Sequence, residues 1–562
     1  MRAKIPGAII ALSAVISTVA MLAGFLLPGL AFWVLGYSIL LYRQYVATRS
    51  IPGKWQLRSQ TVTRICFTFG VAAPIIYLER SADLFAWISL VVTLFLIRFV
   101  GSLAEMSTTG FMVANLGELH IGHAVIKYLR LLVWAMLLLP VIQLGLAFSF
   151  VPGYISLIPV LATVALAGVE ARRALARRRS GPKVYAQIPG ELRKYAPQFA
   201  IHWSAPKNTK HQLDMWMPYF ERMEIPFIII ARTGACFDDA VAAGNGRPVI
   251  YVPDLNRVAE LAVDSITTLF YVNNSPKNEM GARLRERTHI QLLHGDSEKI
   301  SSFSPVSGMF DRIYVAGQAG IDRYEDNGVL IRQEKFRIVG RPQVEGVLRD
   351  DTPITEKPNP VVLYAPTWRG YSDEASYSSL DRAYPMIQDL LERGLTVIFR
   401  AHPYAYWQNG FPNEIRRIQD LLARHAQETG TPHVFGAAAE KDMSVFECFN
   451  ASDAMITDVS SVANDYLYSG KPFATMVGEA SSEEYIRSFP IFNGSYVMDV
   501  SRVAGWRDQL TAMLERDPLR DRRLGLRSHY LGDFPAEGYA DVFVETARRD
   551  VLGDRYVPLP PR

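Results

Sequence analysis

The sequence predicts an α-helical transmembrane region over residues 1–180, followed by α/β: two Rossmann-like domains, 181–345 and 346–550, with a cleft between them and a tail over 551–562. Three observations predict this. The chain has 562 residues, 49% of them apolar, which is too long for one ordinary domain and too apolar for a disordered chain. Charge divides near residue 180, with 16 basic and 5 acidic side chains before it and 43 and 50 after it. Long apolar runs also give way after Lys183 to short β-rich runs that alternate with amphipathic stretches. A nucleic-acid binder spread over the whole chain does not fit this asymmetry; a basic membrane-facing region joined to a mildly acidic soluble region does.

Residues 7–46 are nearly uncharged up to Arg43, which is too long for one span of about twenty residues and fits two spans turning near Pro28-Gly29. Further apolar stretches run over 65–78, 84–103, 131–150 and 154–169, giving about six spans, the third short and interrupted by Pro74. Because the first apolar run continues into more membrane, it is not read as a cleaved signal peptide. Lys and Arg are retained on the cytoplasmic side. They gather at Arg2 and Lys4, at Arg43, Arg49, Lys54, Arg58 and Arg64, at Lys127 and Arg130, and from Arg172 to Lys183, whereas the alternate loops carry only Arg80. Both termini, and everything after Ala171, are therefore expected in the cytoplasm of a multi-pass cell-membrane protein. The Arg172–Lys183 run reads as a stop-transfer flank and also as a collar for anionic membrane lipids.

Cys66, Cys236 and Cys448 are odd in number and far apart, which excludes a disulfide framework and a structural zinc site and suggests a reducing compartment. His120-Ile121-Gly122-His123 spells a motif of class I aminoacyl-tRNA synthetases, but the strand and the distant partner motif it needs are missing, so it reads as chance.

In the soluble region, 198–204, 226–231, 248–252, 267–272 and 288–293 read as strands, with helical spacing over 211–223 and 255–263. The alternation restarts with strands at 361–365, 396–401, 433–435, 454–457 and 472–476 and helices at 385–393, 413–426 and 462–468. Alternating strands and helices mean parallel sheets covered on both faces. Between the two series, 339–360 is rich in Pro, Asp and Gly and reads as a hinge linker. In such sheets ligands bind beyond the carboxyl ends of the strands.

Four segments place polar residues at such ends. His294-Gly295 exposes an imidazole at a turn, where it is either a base or a side chain bonded to its own loop. In Tyr364-Ala365-Pro366-Thr367-Trp368-Arg369 a hydroxyl and a guanidinium follow a strand; they suit a phosphate, or Arg369 packs on Trp368. His402-Pro403 ends another strand, where Pro403 keeps His402 out of helical geometry and the ring either acts or caps the turn. Thr457-Asp458-Val459-Ser460-Ser461 opens a helix with two hydroxyls near its start, an anion site or an ordinary cap, and Asp465 lies about one turn on, facing a polyol or solvent.

At these residues the chain resembles the CDP-glycerol glycerophosphotransferase family, the polymerases and primases of wall teichoic acid synthesis. The likeness covers roughly 183–550 and rests on His294-Gly295, the Tyr-Ala-Pro-Thr-Trp-Arg run, His402-Pro403 and the run from Thr457 to Asp465. It implies a GT-B-like pair of domains, acceptor side first and CDP-donor side second. It implies transfer of glycerol phosphate, or a related polyol phosphate, from a CDP-polyol such as CDP-glycerol to a hydroxyl of a lipid-linked acceptor, with release of CMP. By the same resemblance His294 is the base. His402, Thr367, Arg369, Ser460 and Ser461 hold the diphosphate and stabilise the leaving CMP, Asp465 binds the glycerol hydroxyls, and Asp458 and Gly295 support them. No metal, cofactor or nucleic acid is implied. The sequence departs from the family at Gly340-Arg341-Pro342-Gln343, where a Gly-Tyr-Pro-Arg type run is common, and in its fused membrane region. Two rival readings share the architecture: a GT-B glycosyltransferase using a nucleotide sugar and a lipid-linked acceptor, and a membrane-anchored binding protein without catalysis.

Overall fold

The computed structural model describes residues 7–48, 61–78, 83–107, 110–122, 126–149, 151–293, 302–369, 378–408, 410–477, 482–499 and 503–560. His294 and Gly295 therefore lie outside the described residues, as do Arg2, Lys4, Arg49, Lys54, Arg58 and Arg80. The chain divides into two compact units, one of Met1–Lys194 with Pro248–Arg257 and one of Tyr195–Arg247 with Val258–Arg562.

The first unit is mainly helical, with helices Gly7–Leu22, Leu26–Thr48, Thr61–Gly70, Ala72–Tyr77, Leu84–Ser107, Ile126–Phe148 and Leu157–Tyr195. The break at Val71 falls where the third apolar run was expected to be weakest, three residues before Pro74. Among the described residues two helices, with spans at Leu131–Phe148 and Gly153–Tyr195, are long and apolar enough to cross a membrane; Ile9–Leu22, Leu26–Tyr42, Val62–Tyr77 and Leu84–Val100 are shorter apolar helices. Small residues let the first two helices approach: a Cβ on Gly36 would stand 1.8 Å from Ser13 Oγ. Trp33 stacks on Tyr37 at 4.5 Å and donates Nε1–H to the Phe67 carbonyl at 2.8 Å. Arg64, expected in a loop, instead sits within Thr61–Gly70 and is buried.

The stretch expected as a loop after the fourth span forms a hairpin, β1 (Met112–Leu116) and β2 (Leu119–Ile121), and His120 of the synthetase-like motif lies on β2. β1 also pairs antiparallel with Val249–Tyr251 (β5), so the strand expected over 248–252 forms but lies in the first unit. Helix Leu157–Tyr195 carries the Arg172–Lys183 run along its length and continues past residue 180.

The second unit holds two parallel sheets. One comprises β3 (Phe199–Trp203), β4 (Phe227–Ala231), β6 (Thr268–Tyr271), β7 (Thr288–Gln291), β8 (Arg312–Val315) and β9 (Phe336–Ile338), in the order β4-β3-β6-β7-β8-β9. Every residue of β3, β4 and β6 is buried, as strands covered on both faces require. The other comprises β10 (Val361–Ala365), β11 (Thr396–Phe399), β12 (Val434–Phe435), β13 (Ala454–Thr457), β14 (Phe473–Val477) and β15 (Tyr496–Asp499), in the order β12-β11-β10-β13-β14-β15. This is the doubly wound order in which the chain starts in the middle, works outward to one edge, and then returns to build the other half.

The chain does not end in the second lobe. Helix Asp541–Leu552 returns to the first, where Phe543 is fully buried with its ring 5.1 Å from Trp216 and 6.0 Å from Tyr314, and Asp550 accepts from the Tyr314 hydroxyl at 2.8 Å. The hinge expected over 339–360 is also bonded to both lobes. Tyr219 Oη donates to the Pro342 carbonyl at 2.8 Å, Gln343 Nε2 donates to the Met215 carbonyl at 3.0 Å, and the Leu348 N–H donates to Asn450 Oδ1 at 2.8 Å.

Candidate active site

In the second sheet the order reverses between β10 and β13, and at such a point the loops leaving the two carboxyl ends run apart, which is where sheets of this kind bind ligands. β11 lies on the other side of β10, so the loops carrying Thr367 and Arg369, His402, and Asp458 to Ser461 leave three adjacent parallel strands on one edge. Two bonds fix the spacing of the central pair. Thr457 Oγ1 donates to the Ala365 carbonyl at 2.8 Å, and the carboxylate of Asp458 accepts the N–H of Thr367 at 2.8 Å. Asp458 also accepts the N–H of Ser379 at 3.2 Å. It is wholly buried, and burial pushes its carboxyl up to about 7; the bonds from Ser379 and Thr367 oppose this and the Asp381 charge adds to it.

Aromatic packing joins the β10 and β11 loops. The Trp368 ring lies 6.1 Å from His402 and 5.2 Å from Tyr404. His402 is extended (φ −65°, ψ 135°), as the following proline requires, and its Nδ1 accepts the Tyr404 N–H at 3.1 Å. The turn is thus capped by the same ring that was a catalytic candidate. With Nδ1 accepting, the neutral ring carries its proton on Nε2 and is a donor there.

Arg369 does not pack on Trp368. Its guanidinium stands 4.4 Å over the Phe411 ring and donates Nη2–H to Asp381 at 2.9 Å, with both side chains substantially exposed. An exposed pair of this kind contributes at most about 1 kcal/mol, so an incoming phosphate competes for the guanidinium on favourable terms. Ser460 is extended (φ −156°) and precedes helix Ser461–Leu467; its hydroxyl makes no capping bond. That helix is seven residues long, so the hydroxyls rather than a long macrodipole supply the local chemistry.

Asp465 is engaged differently from the expected polyol contact. Its carboxylate forms a two-point ion pair with Arg341: Nε donates to Oδ1, and Nη2 donates to Oδ2 at 3.2 Å, with both residues buried. Arg341 belongs to the run that departs from the family pattern, and its backbone N–H also donates to Tyr539 Oη at 3.0 Å. The pair binds the linker to the helix that follows β13. Its partners are 124 residues apart, so no local signal announced it.

The first lobe carries a buried polar chain that sequence reasoning missed. Arg232 Nη1 lies 2.8 Å from His202 Nε2, His202 Nδ1 lies 3.1 Å from Asn278 Oδ1, and Asn278 Nδ2 donates to the Asn273 carbonyl at 2.6 Å. Burial and the neighbouring Arg232 push the His202 ring down to about 3, so it is neutral. The run Asn273-Asn274-Ser275 directly after a buried strand was the available signal. Among the described residues no group of three or more His, Cys, Asp or Glu is placed to hold a metal ion.

Residues 341–489 match the family model described as CDP-Glycerol:Poly(glycerophosphate) glycerophosphotransferase. That stretch contains all the described candidate residues. A search of curated proteins found no match. Among solved structures, the chain is similar to the wall teichoic acid polymerase TagF soaked with CDPG (13% identity, 68% of this chain and 98% of that one, TM-score 0.40). It is also similar to Anabaena Alr3699/HepE in complex with UDP (13%, 62% and 99%, 0.37) and to a UDP-N-acetylglucosamine 2-epimerase, so described, from Listeria monocytogenes (10%, 64% and 99%, 0.42).

The Asp458 carboxyl gives a pH signature. Its folded value, about 7, exceeds the ordinary 3.8, so the folded chain resists an ionisation that the unfolded chain accepts. Stability from the neutral carboxyl is complete below about pH 4 and is lost as pH rises toward about 7. In unfolding titrations of the purified chain, wild type should lose stability relative to Asp458→Asn across that window, by at most about 1.4 kcal/mol per pH unit. A difference that stays flat from pH 4 to 7 contradicts the burial of this carboxyl.

Proposed function

We propose that this chain is a membrane-bound transferase that moves glycerol phosphate, or a related polyol phosphate, from a CDP-activated donor to a hydroxyl of a lipid-linked acceptor, in the synthesis of a teichoic-acid-like cell envelope polymer. The observation that carries the reading is the placement of Thr367, Arg369, His402, Ser460 and Ser461 at three neighbouring strand ends, inside the stretch that matches the family model. In the proposed reaction the acceptor oxygen attacks the phosphorus bearing the polyol. The bond from that phosphorus to the bridging oxygen breaks, CMP departs with the bond electrons, and the hydroxyl proton passes to His294. Transfer of this kind depends on positioning and on neutralising phosphoryl oxygens. Arg369, the two serine hydroxyls and the Nε2–H of His402 are groups of the right kind for both tasks.

The membrane assignment draws on the helical first unit. Large apolar side chains lie exposed along its helices, among them Leu27 at 79%, Phe95 at 68% and Leu84 at 65%, an arrangement that water disfavours and lipid accepts. With the basic loops retained inside, both termini and the two α/β lobes are placed in the cytoplasm.

Membranes carrying the chain, incubated with CDP-polyols and UDP-sugars, should release CMP from CDP-glycerol or a related CDP-polyol, and Arg369→Gln and Ser460→Ala should each lower that release by about a hundredfold. UDP release from a UDP-sugar instead supports a glycosyltransferase, and release of no nucleotide supports a binding protein. For topology, Leu330→Cys places a thiol at a position that is 92% exposed. A membrane-impermeant maleimide should label it in inside-out vesicles and not in intact cells; labelling in intact cells contradicts the cytoplasmic placement.

A further inference from the structure

The first sheet has an opening of its own that the reading above leaves unused. At the carboxyl ends of β7, β8 and β9 a cavity is walled by Trp216, Leu293 and Tyr324 and by the polar side chains of Arg323, Arg341 and Gln343. Counted with its open mouth it encloses about 500 Å³, of which about 40 Å³ is free to the centres of water-sized groups. One water needs about 10–15 Å³ by that measure, so the inner part takes about three such groups. A hydroxymethyl end of a chain fits there; a nucleobase or a sugar ring does not.

One group in the wall points to the chemistry of the occupant. Gln343 is 5% exposed, and its Nε2 donates to the Met215 carbonyl at 3.0 Å. A carbonyl only accepts, so this bond fixes which end of the amide is the nitrogen and leaves Oε1 as the other. That oxygen is buried and has no hydrogen-bond partner. A buried acceptor without a donor is costly, and this one belongs to a side chain in the wall of a cavity that opens outward. The occupant it suits carries a proton to donate. Arg323 and Arg341 in the same walls disfavour an ammonium group, which leaves a hydroxyl. An amide oxygen accepts a hydrogen bond from a hydroxyl but is too weak a base to take the proton, so it suits a hydroxyl that anchors rather than one that attacks.

We propose that Gln343 is a specificity-determining residue for the acceptor: the cavity receives a hydroxymethyl end of a polyol unit, whose hydroxyl donates to Gln343 Oε1 while a second hydroxyl of the same unit reacts. The inference rests on the functional reading above, in which the donor diphosphate lies at the edge of the second sheet, and deepens it by naming the acceptor as one that ends in a polyol with a hydroxyl to spare. Arg341 connects the two places: its side chain lines this cavity, and its guanidinium is paired with Asp465 on helix Ser461–Leu467.

The test uses the purified full chain, with CDP-glycerol as donor and a lipid extract of the membranes that carry the chain as the source of acceptor. CMP release is measured against each, and the thermal midpoint is measured with and without CDP-glycerol. Gln343→Leu should lower kcat/KM for the acceptor by about 10- to 100-fold while leaving the KM for CDP-glycerol and the midpoint shift it causes unchanged. Gln343→Glu keeps an oxygen that accepts from a hydroxyl but cannot donate to the Met215 carbonyl, so it should recover most of that loss. Equal losses in both variants overturn the proposal in favour of a structural bond to Met215. A loss confined to CDP-glycerol overturns it in favour of a donor contact, and no loss in either variant overturns it in favour of a cavity filled by water. Should Gln343→Leu not fold, the glutamate variant decides alone: a loss of about tenfold or more for the acceptor overturns the proposal, and near wild-type dependence on the acceptor supports it. If the wild-type chain itself releases no CMP and shows no shift with any CDP-polyol, the functional reading has failed and carries this inference with it; a wild type that turns over beside unaffected variants sinks the inference alone.

Discussion

The carboxylate of Asp458 fixes the geometry on which the candidate site depends. By accepting the N–H groups of Thr367 and Ser379 while wholly buried, it ties the loop leaving β10 to the end of β13 at the point where the sheet reverses its order. Burying a carboxyl is costly, and here two backbone donors and a raised affinity for a proton offset part of that cost. What the fold gains is a set spacing between the loop that carries Thr367 and Arg369 and the loop that carries Ser460 and Ser461. A site built for phosphoryl transfer needs such fixed positions more than it needs reactive groups.

The buried pair of Arg341 and Asp465 ties the linker to the same helix. Breaking one partner of such a pair commonly costs about 3–5 kcal/mol, because the other charge is left in a poor solvent, yet the intact pair adds little net stability. Its contribution is therefore best described as register. It sets where the linker meets the helix after β13, while Tyr219 and Gln343 set where the linker meets the first lobe. A segment that reads from composition as a loose hinge is in fact bonded on both sides.

Much of this was legible in the sequence. Runs such as Phe-Ile-Ile-Ile-Ala at β4 and Val-Val-Leu-Tyr-Ala at β10 can hardly be anything but strands buried on both faces, and the polar residues that follow them mark the carboxyl edge. Other features were hidden for physical reasons. β8, β9 and β15 are short strands of three or four residues, β9 and β15 at sheet edges, too short for a periodicity to show. The return of Asp541–Leu552 to the first lobe, and the capture of Asp465 by Arg341, depend on contacts over hundreds of residues, which local patterns do not encode. The β1–β2 hairpin formed where charge and hydropathy suggested only a connecting loop.

The account as a whole predicts one occupant at one place. A structure of the full chain soaked with CDP-glycerol tests this most directly. Diphosphate oxygens should lie within about 3 Å of Ser460 Oγ and of the Arg369 guanidinium, beyond the carboxyl ends of β10 and β13. A nucleotide bound at the carboxyl edge of the first sheet instead, or none bound at saturating CDP-glycerol, would contradict it.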